Sequence, residues 1–184
     1  MGDSKIAGSS YDAFFSSIRP ILERVKARFD ERKETLAFAE SCTGGLLSAV
    51  TASLPGASSF YLGGVISYHS KVKNKILQVP MPLIRSLGEV SMPVAQAMAK
   101  GVCEAVGADW AVAITGIAGP TGGTSEKPVG TVCFGLVGPQ VDETVTKHFP
   151  PEWSRARIQQ ASVQFALEAV FAGRIVDQYG QRAP

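Results

Sequence analysis

The chain has 184 residues, 45% hydrophobic and 18% charged, with a formal net charge of +2. That length suits one domain with a sizeable core rather than two, and so small a charge announces no polyanion-binding surface, so no nucleic-acid partner is expected. No apolar run reaches the roughly 18 residues of a membrane span, and the polar start MGDSKIAGSS lacks the apolar segment of a secretory signal.

Phe14, Ile18, Leu22, Val25 and Phe29 recur at helical spacing. They predict an amphipathic helix over 11–30, behind a flexible tail at 1–10. Residues 35–39 (TLAFA) read as a short apolar strand. The SCTGG turn leads into an apolar helix over 46–54, stopped by Pro55-Gly56. A second strand covers 61–68, softened by Gly63-Gly64. Ser70 caps a short helix that runs to 77, and Pro80 and Pro82 break it. Ser91 caps a longer helix through 106, with Pro93 tolerated in its first turn.

Residues 109–115 (DWAVAIT) form a buried strand, and a Gly-rich loop follows over 116–130. Strands at 131–137 and 141–149 pair as a hairpin around Gly138-Pro139. Pro150-Pro151 ends the hairpin, a last helix covers 153–171, and a second tail is expected at 177–184. Strands alternating with helices predict a layered α/β sheet, and the closing hairpin makes it mixed. With no internal repeat and no low-complexity linker, 11–176 reads as a single domain.

The three cysteines, Cys42, Cys103 and Cys133, are odd in number, widely spaced and without a CxxC pair. That argues against a disulfide framework or a zinc site and for reduced thiols in the cytoplasm. Only two histidines exist, His69 and His148, which rules out a histidine-rich metal site; neither a metal nor a cofactor is expected.

Ligands of open α/β sheets gather beyond the carboxyl ends of the strands. Three loops qualify. In the first, Ser41, Cys42 and Thr43 sit where a helix begins, and Gly44-Gly45 lets a ligand approach the backbone. The first amides of that helix could hold a phosphate or an oxyanion. The same residues also make an ordinary capped helix start. Cys42 rivals Ser41 as nucleophile, because a helix N-terminus depresses a thiol pKa.

In the second loop, YHSKVKNK, Tyr68 ends a strand and Lys73 lies about one turn into the next helix. Lys73 could serve as a base if neutral, and repulsion from Lys71 and Lys75 and the helix start would favour that. All three lysines would also suit a solvated helix face. The third loop, TGIAGPTGGTSEKPVG, lacks the closing Gly-Lys-Ser/Thr of a P-loop and does not open a helix. Its glycines, Gly116 and Gly119 among them, can turn amides toward a phosphate, and Thr115 can add a hydroxyl.

Glu40 and Glu89 suit partnership with helix ends or with Lys73. His69 and His148 read as exposed or structural. Arg155 and Arg157 open the last helix, where the dipole disfavours cations; a cation there suits a ligand phosphate or a partner subunit.

The ordered blocks AESCTGG, PGASSFYLGGVISYHSKVK, GEVSMPVAQAMAKG, AITGIAGPTGG and KPVGTV resemble the CinA C-terminal domain family, also known as nicotinamide-mononucleotide deamidase. The likeness runs from about residue 36 to 167. It implies an α/β/α layered fold, a homodimer, and metal-free hydrolysis of the carboxamide of nicotinamide mononucleotide to nicotinate mononucleotide and ammonia. By motif position the family's nucleophilic serine falls on Ser41, its tyrosine and lysine on Tyr68 and Lys73, and its Thr/Ser-Gly-Ile-Ala-Gly-Pro segment on Thr115 to Pro120.

Departures from the family pattern cluster in two places. The interior of 68–73 is more basic than usual. Gly-Asp-Arg before the last helix appears as Trp153-Ser154-Arg155, and a second arginine four residues on is replaced by Gln159. That corner is expected to contact phosphate or a partner subunit. The N-terminal domain of full-length CinA and its pyrophosphatase activity are not expected. The alternative reading is a non-catalytic nucleotide-binding or regulatory module.

Overall fold

Strands buried on both faces need helices on both sides, and the middle of this chain demands that. All five residues of β1 (Leu36–Glu40) are buried, as are nearly all of β3 (Trp110–Gly116) and β4 (Thr131–Gly138). The computed structural model describes residues 10–175. The tails expected at 1–10 and 177–184 lie, Ser10 apart, outside the described residues.

Alternation along the strands sorts the core into two layers. Leu36, Phe38, Val112 and Ile114 face α1 (Ser10–Arg32), α2 (Leu46–Ala52) and α6 (Arg155–Ala172). Ala37, Ala39, Ala111 and Ala113 face α3 (Ser70–Leu77), α4 (Met81–Leu87) and α5 (Met92–Val106). The second face is built from small side chains because α5 lies close on the sheet. A Cβ on Gly135 would stand 2.6 Å from the Ala95 carbonyl oxygen.

The sheet has five strands in the order β2-β1-β3-β4-β5, with β2 at Tyr61–Ile66 and β5 at Val141–His148. The β1–β2 and β1–β3 pairs are parallel, and β3–β4 and β4–β5 antiparallel. Four strands therefore point one way and β4 opposes them: a mixed, mostly parallel sheet in a single three-layer α/β/α domain, as expected.

β1 leads to its neighbour on one side and β3 to its neighbour on the other, so the crevice beyond their carboxyl ends is a topological switch point. Glu40 pairs with both Ile66 and Ile114. The next residues on the first two strands, Ser41 and Ser67, leave the sheet beside Thr115 of β3.

Three local expectations change. A helix, α4, stands where Pro80 and Pro82 were read as breakers. Pro80 is its N-cap and Pro82 lies in its first turn, where a missing N–H costs no helical bond. Strand β2 ends at Ile66, which leaves Tyr68 in the loop. The cap of α3 is His69, whose ring nitrogen accepts from the Lys71 amide at 3.1 Å, while Ser70 is the first helical residue. Among the described residues no helix is long and apolar enough to cross a membrane.

Candidate active site

The turn after β1 is shaped by its glycines and by Glu40. Gly44 and Gly45 have φ of 62° and 99°, a region that other residues enter only with strain. A Cβ on Gly45 would also meet the Ile66 side chain at 2.7 Å. The Glu40 side chain is fully buried and folds beneath the turn. It accepts from the amides of Gly45, Leu47 and Ser48 at 3.1, 3.1 and 2.8 Å, and from the Ser48 hydroxyl at 2.6 Å.

This corrects one expectation. The first amides of α2 are engaged by an internal carboxylate, so they are not available to a ligand. Gly44 N–H is also engaged, by the Ser41 carbonyl at 3.0 Å. The amides of Cys42 and Thr43 have no oxygen acceptor among the described residues.

Ser41 is 7% exposed and faces Lys73. The Lys73 Nζ lies 2.9 Å from Ser41 Oγ, 2.7 Å from the Ser67 carbonyl oxygen and 3.2 Å from Glu89 Oε2. Lys73 is fully buried, whereas Lys71 and Lys75 on the same helix are exposed. Burial pushes the Lys73 pKa below its ordinary value, and Glu89 opposes that shift. Desolvation therefore does what repulsion from Lys71 and Lys75 was expected to do.

Cys42 is poorly placed to form a thiolate. Burial raises its thiol to about 12, against a smaller lowering by Lys73 and Arg155, so it stays protonated at neutral pH. The expected depression by the helix start is outweighed. Cys42→Ala is expected to cost about 1 kcal/mol of stability, and Cys42 should react slowly with thiol-blocking reagents at neutral pH.

A cavity of about 310 Å³ opens on Ser41 and Cys42 and is walled by Tyr68, Glu89, Thr115, Gly116, Gly119 and Arg155. Its volume falls in the range of small-molecule sites. Arg155 donates to the Gly119 carbonyl at 2.9 Å and to the Tyr68 hydroxyl at 3.0 Å, tying the Gly-rich loop to the loop after β2. Tyr68 thus partners Arg155 rather than Lys73. The Thr115 hydroxyl donates to the Glu89 carbonyl at 2.9 Å. Arg157 stacks on Trp153, its guanidinium carbon 3.9 Å from the ring centre.

Thr43, Gly44 and Gly45 lie elsewhere. They line a second cavity of about 370 Å³, shared with Leu46, Ala49 and the start of α6. Gln159, on that wall, donates to the Cys42 carbonyl at 2.8 Å and so anchors the turn from α6.

Sequence reasoning passed over Ser67 and Lys127. Ser67 acts through its main-chain oxygen, which no residue type signals. Lys127 donates to the carbonyls of Leu87 and Val90; its only mark was a lone cation in a glycine loop.

A family model described as the CinA C-terminal domain matches residues 18–172. A CinA-like protein of Synechocystis is 52% identical over 134 residues, 73% of this chain and 32% of that protein. One from Prochlorococcus marinus is 42% identical over 155 residues, 84% of this chain and 37% of that protein. The chain thus spans about a third of the length of these curated relatives.

Among solved structures, the competence damage-inducible protein A of Klebsiella pneumoniae superposes with a TM-score of 0.79 at 31% identity, covering 83% of this chain and 94% of that one. A CinA superfamily protein of Escherichia coli gives the same TM-score and identity over 91% and 96%. With the family model spanning most of the chain, the protein belongs to the CinA C-terminal domain family.

Proposed function

We propose that this domain is an amidohydrolase that converts nicotinamide mononucleotide to nicotinate mononucleotide and ammonia, with Ser41 as nucleophile and Lys73 as base. The observation that carries the reading is a buried lysine amine 2.9 Å from a serine hydroxyl at the floor of an open cavity. A lysine base must be neutral, and burial favours that form here.

In this reaction Lys73 takes the proton of Ser41 while Ser41 Oγ bonds to the carboxamide carbon. The tetrahedral intermediate collapses as its C–N bond breaks, Lys73 gives the proton to the leaving nitrogen, and ammonia departs. Water, deprotonated by the same amine, then cleaves the ester and restores the serine. The amide of Cys42, on the wall of the cavity, is assigned to the oxyanion, one such donor being worth about 3 kcal/mol of barrier.

The nucleotide phosphate is assigned to the loop at 116–122 and to Arg155, a fixed cation on the cavity wall. Tyr68, held by Arg155, acts on the substrate side rather than on Lys73. The mechanism draws on no metal or cofactor. A homodimer belongs to the same proposal, since it follows from the same resemblance.

The test is ammonia release from nicotinamide mononucleotide, set against free nicotinamide and the intact dinucleotide. The expected result is one ammonia and one nicotinate mononucleotide per substrate consumed. Binding of the mononucleotide with no ammonia released would make the domain a nucleotide-binding module instead.

A further inference from the structure

The surroundings of Lys73 hold one more acceptor than a serine–lysine pair needs. An ammonium has three N–H donors, and three oxygens surround Lys73 Nζ: Ser41 Oγ, the Ser67 carbonyl and Glu89 Oε2. Loss of one proton leaves two donors and a lone pair. If the two donors stay on Ser67 and Glu89, the lone pair points at Ser41.

Glu89 is held to this task by its backbone. Lys127 binds the carbonyls on either side of it, Leu87 at 2.7 Å and Val90 at 2.8 Å, and Thr115 binds its own carbonyl at 2.9 Å. Its carboxylate is 42% exposed and lines the cavity, so it stays solvated while it touches the buried amine.

We propose that Glu89 is a positioning residue, which with the Ser67 carbonyl aims the Lys73 lone pair at Ser41 and sets the pH at which Lys73 becomes a base. The proposal rests on the serine–lysine reading above. The other ionisable groups around Lys73 cannot take this part. Cys42, from the turn after β1, is protonated. Arg155 and Tyr68, across the cavity, bind each other. Lys71 and Lys75, on its own helix, are exposed, and the Glu40 carboxylate is occupied by α2. Lys127 is spent on the two carbonyls.

The sign of the effect follows. The Glu89 charge favours the protonated lysine, so it moves the onset of basicity to higher pH. Glu89→Gln keeps an acceptor oxygen and removes the charge. The midpoint of the acid limb of kcat/KM should then fall by about one pH unit, the low end of the range for close opposite charges because this pair is partly exposed. Glu89→Ala removes the acceptor too, so kcat should drop about tenfold below Glu89→Gln with KM changed much less, the mark of lost alignment.

A readout independent of turnover is the Lys73 ¹³Cε titration by NMR, assigned by its loss in Lys73→Met. It should show the same downward shift in Glu89→Gln. An unmoved Lys73 titration in Glu89→Gln overturns the proposal. If wild-type protein releases no ammonia, the amidase reading fails by itself, and the NMR titration still decides whether Glu89 governs Lys73.

Discussion

Ser41→Ala and Lys73→Met are each expected to lower ammonia release by on the order of 10⁴-fold, and the double variant by no more than either alone. A nucleophile and its base act as a unit, so removing one disables the other. The residual rate would come from binding and from the turn amide. Misfolding is separable from lost chemistry here. Lys73 is fully buried and its ion-pair partner is half exposed, so methionine removes a desolvated amine without stranding a buried charge. Lys73→Met should melt no lower than the wild type. It should also flatten a pH slope. The folded pKa of Lys73 lies below its ordinary 10.5, so the unfolded chain binds the proton more tightly. Wild-type stability should therefore rise with pH from the folded pKa up to about 10.5, and the methionine variant should lack that rise. Full turnover in either single variant, or losses that multiply in the double, would remove the serine–lysine pair from the mechanism.

The features legible in the sequence were those carried by local pattern. The helix period of α1, the capping serine of α5, the apolar strands and the Gly-rich loop placed three loops at one end of a sheet, and Ser41, Tyr68, Lys73 and Arg155 lay on or beside them. Contacts between distant segments were not legible. Lys71 and Lys75 looked like the neighbours that would shift Lys73, but helical geometry turns them to solvent. Glu89 read, like Glu40, as a partner for a helix end or for Lys73, and the fold brings it to Lys73 from the turn between α4 and α5. Gly44-Gly45 read as an approach for a ligand, whereas their positive φ angles serve the turn itself. Pro80 and Pro82 read as breakers because a proline at a helix start and one in a helix interior look alike in sequence. Glu40 was recognised as a partner for a helix end or for Lys73, and only the fold assigned it to the helix.

Glu40 carries the largest expected effect on stability. Glu40→Ala should cost about 3–5 kcal/mol, the range for breaking a buried polar network. The carboxylate accepts four hydrogen bonds, and its burial is tolerable because those donors replace water. Alanine removes all four at once, and the Leu47 residue that carries one of the stranded amides is itself fully buried. Water can reach Gly45 and Ser48 more readily, which keeps the loss below the sum of four separate penalties. Glu40→Gln should cost less, about 2–3 kcal/mol, because its oxygen still accepts while its NH₂ faces donors. For a chain of this size 3 kcal/mol corresponds to a melting temperature lower by about 6–12 °C. The same turn carries Ser41, so the surviving folded fraction of Glu40→Ala should also show a lower kcat with little change in KM. An alanine variant that melts within about a degree of the wild type would mean that Glu40 does not organise the turn, and the reassignment of the oxyanion to Cys42 would lose its basis.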